Sequence, residues 1–284
     1  MATTLPPSYS GYNDSFLGQN RTPIHFAAFQ GQLHALYGLI KLGKNVNSRT
    51  VDGVTPLHEA CSKGNFYCAK MLIKAGAQVN ARNVDGSTPL CDAACSGDLL
   101  CINLLLENGA LVNDPLARST PLHEAALRNH SAALTTLIDA GAELELSDGH
   151  FGTPLHAACF KASVASAIVL LLAGANVNAT KLHESPLHMA ASVGNASLVQ
   201  VLIDFGADIS QQDNHGRKPI DHARPKSDAY TLLKYYETNP RSLEDACRLT
   251  VYKNLKPRRA KDLVHAGLPV PIVDHLLYRG PWAP

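Results

Sequence analysis

The sequence predicts an all-α fold: a solenoid of stacked helix–turn–helix units, followed by a small three-helix module at the C-terminus. Three observations carry this reading. The stretch DGVTPLHEACSKGN (Asp52–Asn65) returns along the chain, and the residues before its proline fall at 22, 55, 88, 120, 153, 185 and 218, in steps of 32 or 33. So regular a period belongs to a stack of like units, each touching only its neighbours, and not to one globular core. Each full copy couples a helix-start signal to a stop a few residues later. After Pro240 the period ends and the composition changes.

The totals bound the function. Of 284 residues, 25 are Lys or Arg and 24 are Asp or Glu, a formal net charge of +1. That balance lacks the basic excess that phosphate contacts require, so no nucleic-acid partner is expected. Seven cysteines is an odd number in a chain large enough to fold without staples. Residues 1–20 lack a basic start and an apolar run, and the longest apolar stretch, Ala167–Ala175, is too short to cross a bilayer. These features predict a reduced, intracellular protein, cytoplasmic and without a membrane partner.

Taken in order, residues 1–20 show no helical or strand period and are punctuated by Pro6, Pro7, Gly11 and Gly18. They predict a flexible segment, whose Tyr9, Tyr12, Phe16 and Leu17 could cover the first unit or touch a partner. Each unit then places Thr or Ser where a hydroxyl caps a helix, with proline at the first helical position, where a missing N–H costs nothing. In the second unit, Thr55-Pro56 opens a short helix through Leu57, Ala60 and Cys61 that stops at Gly64. A second helix runs from Asn65 to Gly76, with Cys68, Met71 and Leu72 on one inward face. Gly76 suits the left-handed residue after a helix end, and Asp85-Gly86 turns the chain into the next unit. Ala60, Ala93, Ala125, Ala158 and Ala190 share one slot, small enough for neighbouring helices to approach closely.

These units resemble the ankyrin repeat, whose hallmark is T-P-L-H-x-A with a turn and two antiparallel helices. The resemblance covers residues 21–237, about seven units, and includes tails such as Gly76-Ala77-Gln78-Val79-Asn80. The last unit, from Lys218, has Asp221 where the others carry the histidine, as befits a terminal cap.

Several tempting chemistries fall away. His25, His58, His123, His156 and His188 form a ladder, but stacked units lie ~10 Å apart and cannot share a zinc with ligands at ~2 Å. The expected role is structural, each histidine hydrogen-bonding its neighbour's turn. Cys91, Cys95 and Cys101 fit packing slots, Cys91 in the histidine position. Glu59 and Glu124 sit where other copies carry Asp92, Ala157 or Met189, so they are not a catalytic pair. No paired CxxC, GxxxxGK, HExxH or GxSxG occurs. The expectation is no enzyme, no catalytic residue, no metal and no cofactor.

Binding is instead expected on turn tips and first helices, at slots that vary between copies: Arg82, Arg118, Phe151, Phe160 and Lys181, with Glu59, Asp92, Glu124, Arg128 and Lys161 beside them. An extended surface of this kind suits a protein or peptide. Ankyrin repeats also resemble substrates for asparagine hydroxylation, and Asn80, Asn113 and Asn178 fit that pattern.

Residues 241–284 hold eight basic and four acidic side chains. Ser242 can cap a helix in which Leu243, Cys247 and Val251 form one stripe at i, i+4 and i+8. Pro257 ends it, and two further short helices come after, too little to bury a core alone. The stripe calls for a partner, or for packing on the last unit.

Ser242-Leu243 with Cys247 and Val251 resembles the elongin-C-binding box of the SOCS box. The resemblance implies that Leu243 enters a pocket of elongin C, Cys247 packs behind it and Val251 supports both. Downstream, Leu268, Pro269, Ile272 and Leu276 match a cullin-5-selecting segment in one register, in which Ala266-Gly267 replaces a Leu-Pro pair. In the other, Leu268-Pro269-Val270-Pro271 supply both pairs and Asp274 takes an apolar slot. The whole arrangement resembles the ankyrin-repeat and SOCS-box proteins. That family implies a substrate receptor of a ubiquitin ligase: repeats bind a protein substrate, and the box recruits elongins B and C, then cullin-5 with a RING-box protein. Catalysis would lie in those other subunits. The alternative is an ankyrin scaffold whose tail only caps the stack, with no ligase attached.

Overall fold

A computed structural model describes residues 21–114, 118–181 and 183–239. The expectations for residues 1–20 and for the tail, including Leu243, Cys247, Val251, Leu268, Pro269, Ile272 and Leu276, lie outside the described residues. Among the described residues are fourteen helices in seven pairs. The first members are α1 (Pro23–Phe29), α3 (Pro56–Ser62), α5 (Pro89–Ser96), α7 (Pro121–Leu127), α9 (Pro154–Phe160), α11 (Pro186–Val193) and α13 (Pro219–His222). Their partners are α2 (Leu33–Lys41), α4 (Phe66–Lys74), α6 (Leu99–Glu107), α8 (Ser131–Asp139), α10 (Val164–Leu172), α12 (Ala196–Asp204) and α14 (Asp228–Thr238). The described residues contain no strand, only an isolated antiparallel bridge between Lys181 and Glu184.

Each first helix starts on its proline, as expected, because that proline supplies helical φ at a position whose N–H has no partner. Each second helix of the first six units ends before a left-handed glycine, Gly76 at φ 89° among them. Odd-numbered helices pack in one row and even-numbered helices in a second, each against the next of its kind. First helices of seven or eight residues face partners of nine in the first six units.

The core is a pair of leucine columns. Leu57, Leu90, Leu122, Leu155 and Leu187 run down the first row, and Leu72, Leu105, Leu137, Leu170 and Leu202 down the second, none more than 1% exposed. Each contributes ~1.5–3 kcal/mol of transfer energy that an isolated unit could not realise. The shared alanine slot, Ala60 to Ala190, is fully buried between adjacent first helices.

Polar clasps fix the register. In the fourth unit, His123 Nδ1 lies 2.8 Å from Thr120 Oγ1 and receives the Thr120 N–H, while Nε2 lies 2.8 Å from the Gly152 carbonyl of the next unit. An N–H aimed at Nδ1 makes that atom the acceptor and leaves the proton on Nε2, which donates forward. His25, His58, His156 and His188 do the same toward Val54, Ser87, Glu184 and Arg217. Burial lowers the pKa of all five, to about 4 for His58 and His156. The ladder is structural.

A second ladder runs along the tails, in a role their short motif does not announce. Asn47, Asn80, Asn113 and Asn178 each donate to a glycine carbonyl of the next unit, Gly76, Gly109, Gly141 and Gly206, and each accepts the N–H two residues beyond that glycine. The tail asparagines therefore stitch second-helix ends together. In the last unit Asp221 supplies half of the missing histidine's role, accepting the Lys218 N–H at 2.8 Å. The neighbouring His222 turns to Asp213 Oδ2 at 3.0 Å.

Candidate functional site

The first helices and the tips that precede them form one continuous face, and its variable slots fall into three zones. The first zone, on units two to four, is acidic. Glu59, on α3 and 4% exposed, meets the Arg21 guanidinium at 2.6 Å. Asp92 on α5 occupies the next slot, with the Ser87 hydroxyl at 3.4 Å. Burial, reinforced by the charges of Glu124 and Glu59, raises the Asp92 pKa to about 7. Burial also raises Glu59 and Glu124, against the pull of Arg21 on the first and of Ser119 and Arg128 on the second. These carboxylates form a row, one per unit, and not a facing acid–base pair.

At the tips the sequence-predicted residues separate. The Arg82 guanidinium is held by Asp114 of the next unit through two bonds of 2.6 Å, and the Arg82 carbonyl accepts from Arg49. Arg82 thus spends its fork on its neighbour. Arg118 is exposed. Phe151 is half-buried against the core, and its ring centroid lies 5.0 Å from that of Phe160, which is 47% exposed. The Phe151 tip is pinned by Asp148, whose Oδ1 accepts the N–H groups of His150, Phe151 and Gly152. Lys181 comes alongside: a Cβ on Gly152 would stand 2.9 Å from Lys181 Cβ, and Gly152 sits at φ 96°, so glycine is required twice over. The structure therefore joins Phe151 and Phe160 and sets Lys181 beside their tip, while Arg82 is turned to Asp114. Sequence reasoning misses Arg21; its one signal is position, immediately before Thr22, in the slot that Arg217 fills before Lys218.

The third zone is the cap. Ligand atoms of Glu184, Asp213 and His222 lie within 4.8 Å of one another. Arg217 Nη2 sits 2.8 Å from Asp213 Oδ2, the oxygen that also meets His222. Burial alone would raise the Asp213 pKa, but N–H groups of Arg217 and His215 and the side chains of Arg217 and His222 pull it well below the carboxylate range. A guanidinium already neutralises the oxygen a cation would need, so these residues fit an ion-paired cap better than a metal site. Six described cysteines are free thiols, and burial pushes Cys91 up to about 11, so that thiol is unreactive. None of the described helices is long and apolar enough to cross a membrane.

Against known proteins, family models described as ankyrin repeats in three copies match residues 24–115 and 90–181, and one of many copies matches 170–223. The chain is 55% identical over 258 residues to mouse (Mus musculus) ankyrin repeat and SOCS box protein 13, covering 91% of this chain and 93% of the relative. It belongs to the ankyrin repeat and SOCS box family. Rabbit (Oryctolagus cuniculus) ankyrin repeat and SOCS box protein 5 is 46% identical over 260 residues, 92% of this chain and 79% of the relative. The crystal structure of the human ASB11 ankyrin repeat domain superposes with a TM-score of 0.74 at 39% identity, covering 78% of this chain and all of that domain. In this family member, then, a solenoid of ankyrin repeats holds the constant residues inside and presents the variable ones on one face.

Proposed function

We propose that the chain is the substrate-recognition subunit of an elongin B/C–cullin-5–RING ubiquitin ligase. The carrying observation is the reach of the family relationship. An alignment over 258 residues exceeds the 240 that precede Arg241, so the likeness to a SOCS-box protein enters the tail beyond the repeats. The repeat face binds a protein target, and residues 241–284 form the recruiting box. Leu243, Cys247 and Val251 engage elongin C, which brings elongin B; Leu268, Pro269, Ile272 and Leu276 select cullin-5 and, with it, a RING-box protein. The chain itself performs no chemistry. It holds the target near the transferring subunits, raising the effective concentration of its lysines, and the marked target goes to proteasomal degradation inside the cell.

The test is co-purification of elongins B and C with the full chain. Both should be recovered with wild type and lost when Leu243 and Cys247 are replaced by aspartate. Failure of the wild-type chain to bring elongins down sinks the adaptor reading and leaves a scaffold without a ligase.

A further inference from the structure

The aromatic pair of the fifth unit lies among cations, as does Phe29 of the first unit, whose Arg21 is already paired with Glu59. Phe160 projects from the end of α9 with nearly half its surface in water, and Phe151 leans on it from the preceding tip. Lys161 Nζ stands 5.4 Å from the Phe160 centroid, and the Lys181 stem lies along Gly152, next to Phe151. Among the described residues neither lysine has an ion-pair partner. The nearest acid on the tip, Asp148, is buried and turned into its own backbone. Glu184 faces Asp213 and His222 of the next unit. The result is a small apolar shelf flanked by two lysines that no described carboxylate pairs.

We propose that this shelf docks an acidic segment of the target protein, one in which an aromatic or leucine side chain is flanked directly by Asp or Glu. The inference rests on the target-binding role proposed above and names the target's chemistry. The apolar side chain covers Phe151 and Phe160, which together offer the aromatic contact that anchors interfaces. The flanking carboxylates meet Lys161 and Lys181, whose pairing at a partly desolvated rim also speeds encounter. Lys181, one unit toward the C-terminus, gives direction: the target's acids lie on its side, toward the cap. A basic segment would choose the opposite arrangement, seated on Asp92 and Glu124 away from the aromatic pair.

The probe is a phage-displayed library of short random peptides, selected against the full chain. Enriched peptides should carry an aromatic or leucine residue beside Asp or Glu. A synthetic peptide of that consensus, followed by fluorescence anisotropy, should bind about tenfold more weakly to Phe160→Ala and to the double variant Lys161→Glu with Lys181→Glu. Added salt should weaken it too. The charge-reversed variant should come to prefer the same peptide with lysines in place of its acids. All these positions are on the surface, and an unchanged thermal midpoint confirms folding. Enrichment of basic peptides, no enrichment, or consensus binding that survives both variants overturns the proposal. Elongin co-purification is read on every variant. Its persistence while peptide binding fails separates the loss of this site from failure of the adaptor role.

Discussion

Replacing His123 by alanine removes one clasp of the solenoid, and the consequence can be worked from its two contacts. The ring is fully buried, with Nδ1 2.8 Å from Thr120 Oγ1 and Nε2 2.8 Å from the Gly152 carbonyl. Alanine leaves that carbonyl with only the Asp148 N–H and takes away the acceptor of the buried Thr120 N–H, and an orphaned buried group costs ~1–3 kcal/mol. Thr120 Oγ1 keeps a weaker contact, accepting the residue-123 N–H at 3.4 Å. With the lost ring packing, the expected destabilisation is ~3 kcal/mol. The third unit supplies the reverse experiment. There Cys91 fills the histidine slot with long sulfur contacts, 3.4 Å to Thr88 Oγ1 and 3.7 Å to the Ser119 carbonyl. Cys91→His gives both groups a proper partner and should stabilise by ~1 kcal/mol. Urea denaturation at pH 7.5, followed by far-UV circular dichroism, reads both changes. If His123→Ala costs less than ~1 kcal/mol, or Cys91→His destabilises comparably, the slot is a packing site and the clasp argument is wrong.

Other expectations concern pH and the tail ladder. An unfolded imidazole binds its proton near 6.5, but folded His58 and His156 resist until about 4, so their stabilisation is complete above 6.5 and lost as pH falls. Between pH 7.5 and 5 each should cost ~2 kcal/mol in the same urea assay. Asp92 works in the opposite sense: its raised pKa favours the folded state below the unfolded value and loses that favour as pH rises through about 7. Asp92→Asn should therefore stabilise the chain by ~1–2 kcal/mol at pH 8 and steepen its loss of stability toward pH 5; an unchanged pH profile contradicts the carboxylate's burial. Asn80→Ala and Asn113→Ala should each cost ~1 kcal/mol, and the double variant should show the sum within error, because the two bonds close different unit interfaces. Strong non-additivity would mean the ladder acts as one network.

The repeats were legible because everything that sets them is local or periodic. Pro56 and Gly76 mark helix ends by backbone chemistry alone, and the observed helices Pro56–Ser62 and Phe66–Lys74 fall between the signals read from sequence. The histidine clasp was legible too, since its acceptor is the same turn in every unit. What escaped were contacts that depend on how one unit sits against the next. Arg21 reaches Glu59 and Arg82 reaches Asp114 in the neighbouring unit, and no local pattern says which long side chain turns to its neighbour and which to solvent. Asn80 resembles a modification target because its motif is a short string; its cross-unit bonds become visible only when two units are set side by side. Of the predicted face, Phe151, Phe160 and Lys181 proved to be one cluster for the same reason: turn tip and helix end meet in space, though they are separate in the chain.

The forward-donating histidine has a consequence for how such a chain can change its length. Unlike the Arg21–Glu59 and Arg82–Asp114 pairs, this clasp asks for a specific side chain on one side only. The donor is encoded in the earlier unit, whereas the acceptor in the later unit is a main-chain carbonyl that every sequence possesses: Val54, Ser87, Gly152, Glu184 and Arg217 serve equally. A clasp written in half the alphabet is indifferent to the identity of the next unit. Whole units can be copied, removed or exchanged without rewriting their successors, so the gripping face can be edited one unit at a time while the stack beneath it keeps its register.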